Sequence, residues 1–225
     1  MLFVIEGLDG AGKSTQTARL RQYLQLECGK LEYIHFPRYD APVYGELIGR
    51  FLKGDFGQID KVHPQLVALL YAEDRHGALP QMRKALGEGN LLLDRYVYSN
   101  IAYQCAKVDN PSEREDLREW ILNTEFGHFG LPRPDVSIFL DVPIGFVQSR
   151  LAEQRKGRDR EYLHGGQDIH EADIEFQKRV RQVYLRQCEV DPGFKRINCS
   201  GADGLMLPAD DIFEKIKKEV DAAIS

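Results

Sequence analysis

No stretch of this 225-residue chain approaches the ~18 consecutive apolar residues that a membrane-spanning helix needs. The short apolar run Leu2-Phe3-Val4-Ile5 follows no basic segment, so it does not read as an export signal. We therefore expect a cytoplasmic protein with no membrane partner. Cysteines are few and unpatterned. Cys28, Cys105, Cys188 and Cys199 lie apart with no C-x-x-C pair, which argues for packing thiols in a reducing compartment rather than a disulfide scaffold. Positive charge is not in excess: the net charge of −5 argues against a general nucleic-acid binder, so an anion would be held by a local basic cluster. Internal repeats, low-complexity tracts and linkers are also missing, which points to one domain over residues 1–225.

What is present is a glycine-rich stretch, Gly7-Leu8-Asp9-Gly10-Ala11-Gly12-Lys13-Ser14-Thr15, directly after the apolar run. It fits G-x-x-x-x-G-K-[ST] and falls where a buried strand turns into a helix. The glycines let the backbone curl so that successive N–H groups point at a phosphate. Lys13 can reach the transferable phosphate oxygens, and Ser14 offers a hydroxyl to magnesium. A strand-to-helix turn without a ligand would not require this spacing or the terminal Lys-Ser.

The rest of the chain alternates between strand and helix signals. Leu20, Tyr23 and Leu24 recur at helical spacing up to Gly29, and Leu31 to Phe36 reads as a second strand ended by Pro37. Pro42 to Asp60 is a glycine-punctuated connection with short helical character, and Leu66 to Leu86 is a long helix broken only by Gly77 and Pro80. Leu91-Leu92-Leu93-Asp94 has the continuous apolar pattern of a strand buried on both faces. Helices are expected over Asn100 to Lys107 and Ser112 to Asn123, then a loop from Gly127 to Pro134, a strand at Val136 to Leu140 and a helix beginning near Phe146. Gln154 to Gln167 is charged, nearly free of apolar residues, and reads as a mobile segment. A helix from Glu171 to Glu189, a strand from Phe194 to Asn198 and a closing helix marked by Ile212, Ile216 and Val220 complete the pattern. The expected fold is α/β: a three-layer P-loop NTPase fold with a five-stranded parallel sheet flanked by helices, its ligands at the carboxyl ends of the strands.

Asp94 closes its strand where a carboxylate can hold magnesium beside the Ser14 hydroxyl, and Arg95 follows where a guanidinium can clamp a second phosphate. Arg155-Lys156-Gly157-Arg158-Asp159-Arg160 packs four cations into six positions. Such a run is either a solvated loop or, beside a phosphate site, an arginine lid over about 154–168 that neutralises developing charge and excludes water.

Together these stretches resemble the thymidylate kinases. The resemblance rests on residues 7–15, Phe36-Pro37-Arg38-Tyr39, Glu73-Asp74-Arg75 and Asp94-Arg95-Tyr96-Val97-Tyr98-Ser99-Asn100. It continues through Gly130-Leu131-Pro132-Arg133-Pro134-Asp135 and Asp168-Ile169-His170-Glu171, leading to Phe176 and Arg179-Val180-Arg181. It implies magnesium-dependent transfer of the ATP γ-phosphate to dTMP, a step of dTTP biosynthesis, by a cytoplasmic homodimer.

Residue by residue, the resemblance places ATP against Gly7, Asp9, Gly10, Ala11, Gly12, Lys13, Ser14 and Thr15, with Arg150 on the adenine and the loop Cys199-Ser200-Gly201 beside it. Asp9 would contact the acceptor sugar 3′-hydroxyl or a magnesium beside it. Arg38 and Arg95 would hold the dTMP phosphate, with Tyr39 and Ser99 in the same site, while Phe36 and Tyr71 sandwich the base, packing that a hydrophobic core would also use. Arg75 and Asn100 would read the pyrimidine edge, and Tyr103, one turn on, would crowd the sugar 2′ position. Ser14 and Asp94 would hold the metal, with Asp9 and Asp168 as further carboxylates. His170 stands where some relatives carry tyrosine, and a solvated imidazole is an equal reading.

One departure matters. Some relatives carry a catalytic arginine in the phosphate loop where this chain has Gly10, so that arginine must come from the lid, with Arg155, Arg158 and Arg160 as candidates and Arg155 and Arg160 favoured. Lys13, Arg95, Asp9, Arg155 and Arg160 form the expected catalytic set. The alternatives are another P-loop kinase, acting on a deoxynucleoside or a different monophosphate, and a regulatory ATPase switch. The absence of an Asn-Lys-x-Asp motif weighs against a GTPase. The apolar run from Leu66 to Tyr71 suits either a dimer interface or buried core.

Overall fold

The computed structural model describes residues 1–59, 61–154, 170 and 173–224. The expected lid from residue 155 on, with Arg155, Arg158, Arg160 and Asp168, lies outside the described residues, as does Glu171. Five parallel strands form one sheet: β1 (Leu2–Gly7), β2 (Leu31–His35), β3 (Asn90–Asp94), β4 (Val136–Asp141) and β5 (Phe194–Asn198), in the order β2-β3-β1-β4-β5. Every residue of β1 and β4 is buried, as a strand covered by helices on both faces requires. The outer strands are only partly buried: in β5, Phe194 and Ile197 are buried while Lys195, Arg196 and Asn198 are exposed.

Strand order reverses at β1, which lies between β3 and β4, so a crevice opens at its carboxyl end. The register pairs Ile5 with Asp94 and Gly7 with Leu140, which brings the glycine loop and the Asp94-Arg95 corner side by side.

The helices are α1 (Lys13–Cys28), α2 (Tyr44–Leu52), α3 (Pro64–Glu88), α4 (Val97–Cys105), α5 (Pro111–Leu122), α6 (Ile144–Gln154), α7 (Ile174–Val190) and α8 (Ala209–Ile224). α3 runs unbroken through Gly77 and Pro80, contrary to the expected interruptions. Its buried face, which includes Ala72, Arg75, Ala78, Leu79 and Met82, overrides the local propensity penalty. Gly77 has a packing reason, because a β-carbon there would lie 3.1 Å from the Arg38 Nη2.

α4 begins at Val97 rather than near Asn100, so Ser99 and Asn100 stand in its first turn. α7 begins at Ile174, where the Asp173 carboxylate accepts from the N–H groups of Glu175 and Phe176 at 2.9 and 3.1 Å. After α5 the chain makes a π-helical turn, Asn123–His128, where the sequence suggested helix end and loop; this turn buries Glu125 completely. The main core spans the sheet and its helices, and a satellite cluster of Ile48, Phe51, Leu52 and Val67 joins α2 to α3.

Candidate active site

The loop after β1 turns through left-handed backbone at Gly10 (φ 71°) and Gly12 (φ 75°), conformations that cost other residues strain. Gly12 sits at the N-cap of α1 with no side-chain cap, and the first turn carries no acidic residue, so its N–H groups remain for an anion. Lys13 folds back over the loop, its Nζ donating to the Leu8 carbonyl at 3.0 Å and the Gly7 carbonyl at 3.4 Å. Burial, reinforced by the Arg95 charge, pushes Lys13 down to about 8 against the pull of Asp94, Asp9 and Glu6. Ser14 and Thr15 are exposed on the first turn. A β-carbon at Gly10 would lie 3.2 Å from the Arg150 Cβ, so α6 packs directly against the loop there. Arg150 itself is exposed and paired with Glu153 at 3.1 Å. At the end of β5, Cys199 is buried and Ser200 bridges Met206.

The second corner is built on a strained residue. Arg95 holds a left-handed backbone (φ 68°), unusual for a non-glycine, and its N–H donates to the Ile5 carbonyl at 2.9 Å. Glu6, fully buried, holds the next turn in place. Its Oε1 accepts from the N–H groups of Tyr96 (2.8 Å) and Ser99 (3.1 Å), and its Oε2 from the hydroxyls of Ser99 and Tyr184. Burial pushes the Glu6 carboxyl up, opposed by these donors and by Arg95. So anchored, Arg95 donates from Nη1 to the Ser99 hydroxyl (3.0 Å) and from Nη2 to Asp9 Oδ1 (2.6 Å), with its guanidinium 5.2 Å from the Tyr103 ring centroid.

Asp9 also accepts from the Tyr103 hydroxyl (2.7 Å) and Gln177 Nε2 (3.1 Å). Burial alone would raise its carboxyl, but Arg95, Lys13 and Tyr103 outweigh this and hold it at about 2. Asp9 is thus an anion that ties the phosphate loop to α4 and α7.

Between these corners and the satellite cluster lies a cavity. Phe36, Pro37, Tyr39, Leu52 and Tyr71 form its apolar walls; Arg75, Asn100 and Gln104 form one polar edge, and Asp9, Arg95, Ser99, Tyr103 and His170 the other. Of the residues expected around dTMP, only Arg38 is not among those lining the cavity. Its backbone N–H and Nε donate to the Asp74 carboxylate at 2.9 and 3.0 Å, and Nη2 to the Asp74 carbonyl. Asp74 is almost fully buried and is paired with this cation, which turns Nε and Nη2 of Arg38 toward Asp74. Ser99 likewise is engaged by Glu6, Tyr184 and Arg95, which makes it a support for Arg95.

His170 is buried rather than solvated. Its ring lies 5.3 Å from Tyr103, 5.4 Å from Phe176 and 5.5 Å from Phe51. Burial, with help from the Lys107 charge, holds its imidazole well below the ordinary range, so it is neutral at pH 7.

Sequence reading missed several members of the site. Glu6 is a carboxylate inside an apolar run, a signal in itself. Gln104 falls one turn after Asn100 on the same face of α4, the spacing that had already singled out Tyr103. Gln177 and Tyr184 share a face of α7, and Glu125, which receives Arg75 and Asn100, carries no local signal.

Asp94 supplies a further clue, because its Oδ1 is buried without a hydrogen-bond partner. An orphaned carboxylate oxygen beside a phosphate loop suits a bound cation or its water.

A glycine cradle with a lysine, joined to a cation-bearing acceptor cavity at the switch point of a parallel sheet, defines a P-loop kinase of small nucleotide-like acceptors. The sequence model of the thymidylate kinase family matches residues 5–202. The chain is 33% identical to the thymidylate kinase of Mycobacterium tuberculosis over 186 residues, covering 82% of this chain and 84% of the relative. With the probable thymidylate kinase of Thermococcus kodakarensis the identity is 32% over 204 residues, covering 88% and 89%. The structure of thymidylate kinase from Candida albicans matches with a TM-score of 0.72 at 27% identity, covering 98% of this chain and 91% of that one. The chain belongs to the thymidylate kinase family and is a phosphotransferase.

Proposed function

We propose that the chain transfers the γ-phosphate of ATP to dTMP, giving dTDP and ADP. The observation that carries this reading is the hydrogen-bonding character left on the polar edge of the cavity. Asn100 commits its NH2 to the Ala68 carbonyl (2.9 Å) and Glu125 Oε1 (2.8 Å), leaving a buried, unpartnered Oδ1 as an acceptor. Arg75 commits Nε and Nη2 to Glu125, leaving Nη1 as a donor. Gln104 accepts from the Lys107 ammonium through Oε1 at 2.8 Å, leaving Nε2 as a second donor. Two donors and one acceptor complement the edge of thymine, whose O4 and O2 accept and whose N3–H donates. Cytosine would set its amino group against a donor and its bare N3 against an acceptor, a mismatch such sites reject strongly. Phe36 and Tyr71 supply stacking worth ~1–3 kcal/mol per base.

In this reading a dTMP phosphate oxygen attacks the γ-phosphorus in line. The new P–O bond forms as the bond to the β,γ-bridging oxygen breaks, and ADP leaves with that electron pair. No protein nucleophile is required. Lys13 and Arg95 place positive charge on the transferring and accepting phosphates, and Arg155 and Arg160 are the favoured lid cations. Ser14 and Asp94 would hold magnesium, which when bound neutralises phosphate charge. Asp9 and Tyr103 mark the sugar end.

We also propose a homodimer. Leu66 and Leu69 of α3 are 65% and 37% exposed, so part of that apolar run is left over from the core. No helix among the described residues is long and apolar enough to cross a membrane, which is compatible with the proposed cytoplasmic location. A coupled ADP-release assay with ATP and magnesium over dTMP, dCMP, CMP and thymidine tests the function. We expect dTMP to be turned over fastest; preference for thymidine or a cytosine nucleotide would reverse the assignment.

A further inference from the structure

Lys107 follows the end of α4 and is not itself part of the acceptor cavity lining. Its Nζ lies 4.8 Å from the centroid of the Phe51 ring and 2.8 Å from Gln104 Oε1. It also lines a second cavity, with His63, Asp109 and Glu113, so it stands in the wall between the two.

An ammonium has only donors, and the Gln104 amide must therefore turn its oxygen toward Lys107 and its NH2 away. No other side-chain hydrogen bond holds this amide among the described residues. Without Lys107, a half-turn about the terminal torsion would exchange nitrogen and oxygen at little cost. Burial pushes the Lys107 ammonium down to about 7, so the donor-only cation that fixes the amide prevails below that pH, and the comparison below is made near pH 6.

We infer that Lys107 is a positioning residue that locks the Gln104 NH2 toward the acceptor cavity and so fixes one of the two donors facing the pyrimidine carbonyls. The inference deepens the dTMP reading and rests on it. It concerns nucleotide recognition, not phosphoryl transfer, so its signature is a split between KM and kcat.

The test uses the full-length chain and its Lys107→Met and Lys107→Arg variants, with ATP, magnesium and three acceptors: dTMP, 2-thio-dTMP and 4-thio-dTMP. A thiocarbonyl accepts hydrogen bonds weakly, so each analogue reports one base carbonyl. In Lys107→Met we expect KM for dTMP to rise about five- to ten-fold, the worth of one net hydrogen bond, with kcat within about two-fold of the parent. The parent should prefer dTMP over at least one thio analogue; that preference should collapse in Lys107→Met and persist in Lys107→Arg, which keeps the donor. If Lys107→Met does not fold, Lys107→Gln gives the same readout, because its amide can offer Gln104 either atom. Turnover of dTMP by the parent, with unchanged KM and thio preference in the variants, overturns the role of Lys107 alone. Failure of the parent to phosphorylate dTMP overturns that role together with the proposed function.

Discussion

Glu125→Gln puts the polar edge of the acceptor cavity under direct strain. Glu125 is fully buried on the π-helical turn and receives three side-chain donors: Arg75 Nε on Oε2, and Arg75 Nη2 (2.7 Å) and Asn100 Nδ2 (2.8 Å) on Oε1. A glutamine offers one oxygen and one NH2, so at least one of these donors must face another donor, and the buried Arg75 charge loses its counterion. Breaking a buried ion pair from one side costs ~3–5 kcal/mol. For a domain of this size each kcal/mol moves Tm by about 2–4 °C, so the expected fall is about 6–20 °C, toward the low end because one acceptor survives. Asn100 keeps its hydrogen bond to the Ala68 carbonyl but loses the one to Glu125 when the amide nitrogen takes the Oε1 place, so the Oδ1 that faces the base is held by one contact instead of two. KM for dTMP should rise more than kcat falls. Circular-dichroism melts and steady-state kinetics on the same preparation provide both readouts. A Tm within about 2 °C of the parent, with KM for dTMP unchanged, would refute the claim that Glu125 organises this edge.

Lys13→Ala and Arg95→Ala should each lower kcat by about 10²–10³-fold, the usual loss when one charge-stabilising group is removed, and near-parental turnover in either would refute the roles assigned to them. Lys13 is held at about 8 without nucleotide, and bound phosphates must raise that value. ATP binding near pH 8 should therefore take up protons, and affinity should fall as pH rises above 8; calorimetry in buffers of different ionisation enthalpy would detect the uptake, and equal heats would contradict it. Gly10→Ala places a β-carbon 3.2 Å from Arg150 Cβ on a backbone with φ 71°, so stability should fall by about 1–2 kcal/mol, as read from denaturant midpoints.

The strands and the phosphate loop were legible because they are local. Buried runs such as Leu91-Leu92-Leu93 and the glycine spacing of residues 7–15 need no distant partner to be recognised. Most of the expected acceptor residues line one cavity: the motif around Asp94-Arg95 places Ser99, Asn100 and Tyr103 together on α4, and α3 brings Tyr71 and Arg75 to the same space. What was not legible depends on contacts far apart in sequence. Nothing local says that Glu125 will meet an arginine 50 positions earlier, and so the π-helical turn that delivers it was read as helix end and loop. Arg38 was assigned by its motif position, and nothing local says that Asp74, 36 residues on, pairs with its guanidinium. α3 passes through Pro80 because tertiary burial outweighs propensity. His170 could be read either way until the rings of Phe51, Tyr103 and Phe176 were seen around it.

The central claim is that the cavity edge formed by Arg75, Asn100 and Gln104 selects thymine as the base of a phosphate acceptor. Equimolar dTMP and dCMP, incubated together with ATP and magnesium and resolved by anion-exchange chromatography, test it most directly. The account predicts dTDP with matching ADP, and dCDP lower by at least about a hundred-fold. Comparable dCDP, or ADP formed at the same rate without either acceptor, would contradict it.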